Sequence, residues 1–451
     1  MPRLWASITA TVVLTAATTA SGVVVAPVAG GARSADCSPA TGAGRSALGV
    51  AGLPERAPGS WAPRLSADGR YVSFVSQEDG LVVGDTDQQA DVFRMDRASG
   101  RILQVSVDLP GPAQRYAAEA SMSQDGNRVA FSSSYQVYVR DVAAARTVRA
   151  SVNDGGVPAD DWSGAPVIGP TGRLVAFTSR ATNLVASDRT AGSIEAYLRD
   201  LEAGTTERVS LGAGGPSAPT WSWAEAVSDG GRYVAFTAGA AGGSLTPEDT
   251  YPGADVFVRD RRRGTTEVVS VGPDGRSIGG WFLGMSADGT RILFGSGPQS
   301  DSKPAVFLRD RTARTTRLVA PLVTTWRRRT GGGPTPLSAV GQRAGRPATL
   351  SADGRIAAIQ TALPTGADEA NGVDDIILLD VATGAWQPAT RSSSGCAGDG
   401  ASGEPTLSRD GSIIAFTSEA DDLAGFDNRR LTNVYVREMT AQRTERISSG
   451  P

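Results

Sequence analysis

The side chains with most chemical potential in this 451-residue chain are carboxylates and large aromatics, because the sequence contains no histidine. Without an imidazole there is no Ser-His-Asp or Cys-His unit, no HExxH zinc site and no phosphohistidine relay. Glu119, Glu225 and Glu404 each stand three or four residues ahead of a recurring turn motif, and Asp160 and Asp161 adjoin Trp162. Two such carboxyls roughly 5 to 10 Å apart across a cleft would supply the acid and base of a glycosidase or lyase. Trp61, Tyr116, Trp162, Trp221, Trp223 and Trp281 stand five to seven residues ahead of the same motif. Flat aromatic faces beside carboxylates suit sugar rings or peptide side chains. The same rings would equally serve to cover the ends of packed cores.

A second oxygen-rich pattern pairs Asp or Asn six residues apart: Asp85 with Asp91, Asp249 with Asp255, Asp368 with Asp374, and Asp427 with Asn433. The first and third place oxygens at alternating positions, as calcium loops do, but both lack the fifth-position acid and the final bidentate Glu. Asx turns account for them without an ion, so no metal is expected. No cofactor is expected either, since a phosphate loop is absent. With 44 Lys and Arg against 47 Asp and Glu, net charge is -3, which argues against a nucleic-acid binder. The basic cluster Arg327 to Arg329 behind Trp326 reads as a solvated loop or as a contact for an anionic polymer.

The elements that must position these residues are repeats. Segments of the type LSADGRYVSF start at 65, 122, 168, 227, 285, 350 and 407, in steps of 57, 46, 59, 58, 65 and 57. Each has an apolar and a small polar residue, an Asp-Gly type turn, then an apolar run, which is a strong hairpin signal. A second family follows each of them: DVFRMD, QVYVRD, EAYLRD, DVFVRD, AVFLRD, DIILLD and NVYVRE. Its β-branched and aromatic residues suit a strand, and a short fourth strand comes after a turn that opens on the terminal acid. Four antiparallel strands repeated seven times predict an all-β, seven-bladed propeller.

These residues also carry a family resemblance. SADGRYVSF, SADGTRILF and SRDGSIIAF resemble the WD40-like repeat of TolB-type propellers, whose usual form is Ser-Pro-Asp-Gly before an apolar strand, and the likeness runs from Trp61 to Ser449. None of the copies has Pro before the Asp; the third has Thr171 and the fourth Gly230 in the Asp position, which weakens those turns. The resemblance implies an envelope module that binds a partner, or a propeller fused to a peptidase domain. A fused hydrolase would need a histidine, and the chain has none.

Residues 1–35 read as a signal peptide, 36–60 as an N-terminal arm, and 61–449 as the propeller, with blades at about 61–108, 116–155, 162–213, 221–275, 281–320, 345–391 and 402–449. Each blade is contiguous in sequence, so no terminal strand remains to lock the last blade to the first. Export permits a disulfide, and a Cys37 to Cys396 bridge would clasp that seam. If strand one runs from top to bottom, the long loops gather on the top face, with the aromatics and carboxylates at the channel mouth. The expectation is a secreted or envelope-associated, monomeric, non-catalytic propeller that binds a protein or glycan there, without nucleic acid, and with membrane contact only through an uncleaved signal. The alternative is a carboxylate-based glycosidase or lyase acting on an extracellular polysaccharide.

Overall fold

Each repeat forms one four-stranded antiparallel sheet whose strands lie side by side in chain order. The computed structural model describes residues 59–110, 117–186, 193–212, 221–239, 245–296, 305–321, 346–361, 373–425 and 431–449. The first strands, Ser60–Leu65, Ala117–Met122, Ser163–Ile168, Trp221–Val227, Trp281–Met285, Ala348–Leu350 and Ser402–Leu407, surround the axis, each beside the next. Seven blades thus close into a propeller, as the repeats predict. Among the described residues the only helical piece is a 3-10 turn at Asp229–Gly231.

The turn motif explains why the hairpins form. In the first blade Ser66 Oγ donates to Asp68 Oδ1 at 2.6 Å, that oxygen accepts from Arg70 N at 3.0 Å, and Ser66 Oγ accepts from Tyr71 N at 2.9 Å. The same triangle recurs at Ser123 with Asp125, Ser286 with Asp288, Ser351 with Asp353 and Ser408 with Asp410. Where Thr171 replaces the Asp, only a 3.4 Å bond to Arg173 N survives. Glycine is required in these turns twice over. Its φ lies between 70° and 76° in all seven copies, and an added Cβ would strike the preceding blade, for example Tyr71 at 2.3 Å from Gly126 or Leu174 at 2.0 Å from Gly231.

Packing follows from strands buried on both faces. In six blades an aromatic of the second strand stacks on its cross-strand partner in the third, from Phe236 on Phe257 at 5.4 Å to Phe416 on Tyr435 at 5.9 Å, and in the sixth blade Ile359 faces Ile377. Seven apolar clusters result, one between every pair of neighbouring blades.

The seam between the last blade and the first is built like the other interfaces. Phe74, Phe93 and Val72 pack there against Val434, Val436 and Ile447. Ser60 N donates to Thr432 O at 2.8 Å, and Arg97 bridges to Glu438 and Glu445, both at 2.5 Å. Arg261 to Glu207 and Arg311 to Glu267 make the corresponding bridge at two other interfaces. Ordinary inter-blade contacts therefore already span the seam. Cys37 lies outside the described residues, and no described cysteine is a free thiol.

At the bottom of the channel the residue following each motif's small residue contributes to a ring of main-chain bonds. Ala67 N donates to Gln124 O, Gln124 N to Pro170 O, Asp229 N to Ala287 O, Ala287 N to Ala352 O, Ala352 N to Arg409 O and Arg409 N to Ala67 O, all between 2.7 and 3.0 Å. The missing link is at Pro170, which has no N–H to give. Arg409 also reaches Gln124 Oε1 at 2.5 Å and Asp229 Oδ2 at 2.8 Å, on the second and fourth blades, so its side chain lies across the channel floor.

Two further ties went unread in the sequence. In five blades the Arg one residue before the last of the third strand bonds a Thr seven residues on, as in Arg199 to Thr206 at 3.0 Å and Arg437 to Thr444 at 2.7 Å. In four of these the Thr hydroxyl donates to a carbonyl of the preceding blade, that of Val107, Val152, Leu211 or Arg391. In six blades the first or second residue of the third strand accepts from a hydroxyl fifteen residues on: Asp91 from Ser106, Gln136 from Ser151, Glu195 from Ser210, Asp255 from Ser270, Asp375 from Thr390 and Asn433 from Ser448. The fifth blade lacks both partners, having Ala305 and Ala320.

Candidate binding face

The first strands start on the top face, and most carry a bulge there. The register slips at Trp61/Arg64, Ala117/Ala120, Gly164/Val167, Ala224/Ala226, Phe282/Gly284 and Gly403/Thr406. In three of them a left-handed residue precedes a proline: Ala62 (φ 53°) before Pro63, Ala165 (φ 51°) before Pro166 and Glu404 (φ 53°) before Pro405. A bulge releases a peptide N–H from its own ladder. Here the preceding blade receives it: Glu404 Oε2 accepts from Ala62 N at 2.7 Å, and Glu119 Oε2 from Ala165 N at 2.5 Å.

Glu225 has a different partner. Its Oε2 accepts from Arg346 Nη2 at 2.7 Å and its Oε1 from Thr237 Oγ1 at 2.9 Å. Arg346 directly precedes the first strand of blade six and lies over the Phe282 ring of blade five at 4.7 Å, so this ion pair spans three blades. Asp160 is engaged within its own blade, accepting from Thr182 N and Thr182 Oγ1, both at 2.8 Å. Asp161 accepts from Trp162 N at 2.6 Å. All five candidate carboxylates therefore hold local or inter-blade bonds, and the three glutamates bind three different blade contacts.

The aromatics divide into two groups. Trp221 and Trp281 each lie on a glycine of the adjacent strand, where an added Cβ would come within 2.5 Å of the ring at Gly239 and 2.3 Å at Gly295. They pack, which is the role of core cover. Trp162, which lies on Gly164 where an added Cβ would come within 2.7 Å of the ring, meets Trp223 of the neighbouring blade edge to face at 5.8 Å, and all four of these indoles are half-buried. Tyr116 lies outside the described residues. Trp61 is half-buried against the cluster shared by blades one and two.

The loops leading into the third strand differ from expectation in one respect. Asp249 and Asp255 are both buried in blade four, and the Asp255 carboxyl, which accepts from Ser270 and Ser277, is pushed up to about 7 by burial and then by the charge of Asp249. In blade one Asp85, Asp87 and Asp91 converge. The Asp85 carboxyl rises to about 6 through burial and the charges of Asp91, Asp79 and Asp87. The other two pairs involve Asp368 and Asp427, which lie outside the described residues.

No protein-family model matches the chain, and no curated protein matches it. Solved structures do. The β-propeller domain of the Trilobed protease from Pyrococcus furiosus, described as having an open velcro topology, superposes with a TM-score of 0.52 at 10% identity, over 87% of this chain and 96% of that one. The likeness is one of fold. An oligogalacturonate lyase from Vibrio parahaemolyticus aligns with a TM-score of 0.51 at 10% identity, over 83% of this chain and 87% of that one. TolB from Acinetobacter baumannii is among the structural neighbours of this propeller, with a TM-score of 0.41 at 14% identity, over 72% of this chain and 65% of that one. No helix among the described residues of the propeller is long and apolar enough to cross a membrane.

Proposed function

We propose that this chain is an exported, non-catalytic propeller that binds a protein or glycan partner on its top face, around Trp162 and Trp223. The observation that supports this is the half-buried, edge-to-face pair of indoles at the junction of blades three and four. Two adjoining rings with apolar faces and N–H tips suit a sugar or an extended peptide. The engagement of Glu119, Glu225 and Glu404 with neighbouring blades favours this reading over a carboxylate-based glycosidase or lyase, which needs two carboxyls facing one cleft.

The test is capture from culture supernatant and wall fractions, alongside a glycan array, using the mature chain and a Trp162→Ala, Trp223→Ala double variant. A ligand retained by the first and bound at least about tenfold more weakly by the second is the expected result, since hot-spot tryptophans cost about 2 kcal/mol or more on truncation. Equal capture by both proteins refutes the site. Turnover of a polysaccharide that Glu225→Gln abolishes supports the enzyme instead.

Export and the clasp belong to the same proposal. Cleavage of residues 1–35 would leave Cys37 near the new N-terminus, free to pair with Cys396. The chain-entropy model gives a ceiling of about 5 kcal/mol for so long a loop. Intact mass of the non-reduced secreted protein is expected to lie two hydrogens below the reduced mass, and two alkylatable thiols would rule the bridge out.

A further inference from the structure

We propose that Asp85, Asp87 and Asp91 form a binding site for one calcium-class divalent cation in the first blade. Oxygens from the three carboxylates all lie within 4.8 Å of one another. Two oxygens on a single calcium, each at about 2.3 to 2.6 Å from the ion, are separated by at most about 5 Å, so the spacing fits one shared ion. The loop that brings them together is wound on itself. Gly80 N donates to Asp85 O at 3.1 Å, Gln88 N to Asp79 Oδ1 at 3.0 Å and Gln89 N to Asp87 Oδ1 at 3.1 Å, with Gly84 at φ 95° and Gln88 at φ 55°. Asp91 opens the third strand and is anchored by Ser106 Oγ.

A second observation concerns Asp85 alone. Its residue is 6% exposed, yet its carboxylate receives no hydrogen bond, and the charged groups acting on it, Asp91, Asp79 and Asp87, are all negative. A buried carboxylate without a donor or a positive partner is costly. Three other buried acids do receive a donor: Glu195 from Ser210, with Arg208 at 3.5 Å, Asp375 from Thr390, and Glu225 from Thr237 and Arg346. Asp85 instead faces two further carboxylates. A hard cation taking oxygens from all three would supply the missing positive charge, with water and main-chain oxygens completing its shell. In blade four Asp249 and Asp255 stand in the same spacing, but two acids there have no exposed third to match Asp87.

The experiment is calorimetric titration of the chelator-treated full chain with calcium chloride and, separately, magnesium chloride, together with thermal unfolding in each. One calcium per chain is expected, with a dissociation constant of about 10⁻⁴ to 10⁻³ M, as in extracellular modules. About 10 mM calcium should then raise Tm by roughly 2 °C. Asp87→Asn, at the exposed position, should weaken calcium binding about tenfold or more, because it removes one ligand charge from a site of few ligands, and should raise Tm in chelator by less than Asp85→Asn does. Asp85→Asn should abolish the calcium response and raise Tm in chelator, since it relieves like-charge repulsion. Absence of heat and of a Tm shift in the unsubstituted chain overturns the proposal, as does an identical titration of Asp87→Asn. The second criterion stands even if Asp85→Asn does not fold.

Discussion

Replacing Arg437 by alanine should lower the free energy of unfolding by about 3 to 5 kcal/mol, the range for emptying a large buried site and orphaning its hydrogen-bond partners. Arg437 is the largest fully buried side chain described, in the third strand of the last blade. It donates to Arg391 O at 2.8 Å and Ser392 O at 3.0 Å, both in the connection from the sixth blade, and to Thr444 Oγ1 at 2.7 Å and Gln442 Oε1 at 2.5 Å. Burial, and then the neighbouring charge of Arg391, depress its guanidinium to about 10, so it stays charged at neutral pH. The competing effect is the relief of that desolvation when the charge is removed. Truncation still loses on balance, because the Ser392 carbonyl and Gln442 amide oxygen lose their donor while the volume is left empty. Arg437→Met, which fills most of the space, should cost about half as much, as replacements of similar volume for buried charges often cost little. Urea unfolding of the three proteins checks this, and a midpoint for Arg437→Ala equal to that of the parent would refute it.

The second large effect is electrostatic. The Asp255 carboxyl sits near 7 in the folded chain against an ordinary 3.8. A folded-state value raised above the unfolded one means that the folded protein holds a proton which the unfolded chain has released. Stability conferred by that proton is full below about pH 4 and is lost as pH climbs from about 4 to about 7. Asp249→Asn removes the like charge while leaving Ser270 and Ser277 to stabilise the ionised form. It should flatten the decline and stabilise the protein at pH 8 by about 1 to 2 kcal/mol, corresponding to roughly one unit or slightly more in the Asp255 pKa. Acids held low by arginine, such as Asp96 by Arg70 and Asp200 by Arg173, act in the opposite direction and only at acidic pH. Tm measured across pH 4 to 8 for both proteins is the check; parallel curves would show that Asp249 is not the source.

How much of this was legible in the chain depends on where each interaction closes. The Ser-x-Asp-Gly triangle closes within six residues, so its chemistry is visible as a motif, and five full copies with two degenerate ones announce seven blades. The Arg to Thr tie closes across a hairpin at a spacing of seven, and its meaning appears only when the Thr hydroxyl meets a carbonyl of the preceding blade. Its sequence trace, R-[DE] followed by Thr six residues after the Arg-adjacent acid, is present in VRDVAAART and LRDLEAGTT, yet it reads as ordinary turn composition. The glutamates were legible as residues near the channel mouth but not as receivers of a neighbour's N–H. That role depends on the bulges, whose one sequence sign is a proline after Ala62, Ala165 and Glu404. For the tryptophans, type and spacing alike gave five equivalent rings; it took the edge-to-face contact of Trp162 with Trp223 to single out one pair.

The main-chain ring at the channel floor has a consequence for how the circle is held shut. Covalent continuity runs from blade one to blade seven and is interrupted once, between seven and one. The hydrogen-bonded circuit is also interrupted once, but at Pro170, between three and four. The two gaps are offset by nearly half a turn. Where the polypeptide stops, Arg409 N and Ala67 O continue the circuit, and where the circuit stops, the polypeptide continues. No neighbouring pair of blades therefore depends on side-chain packing alone.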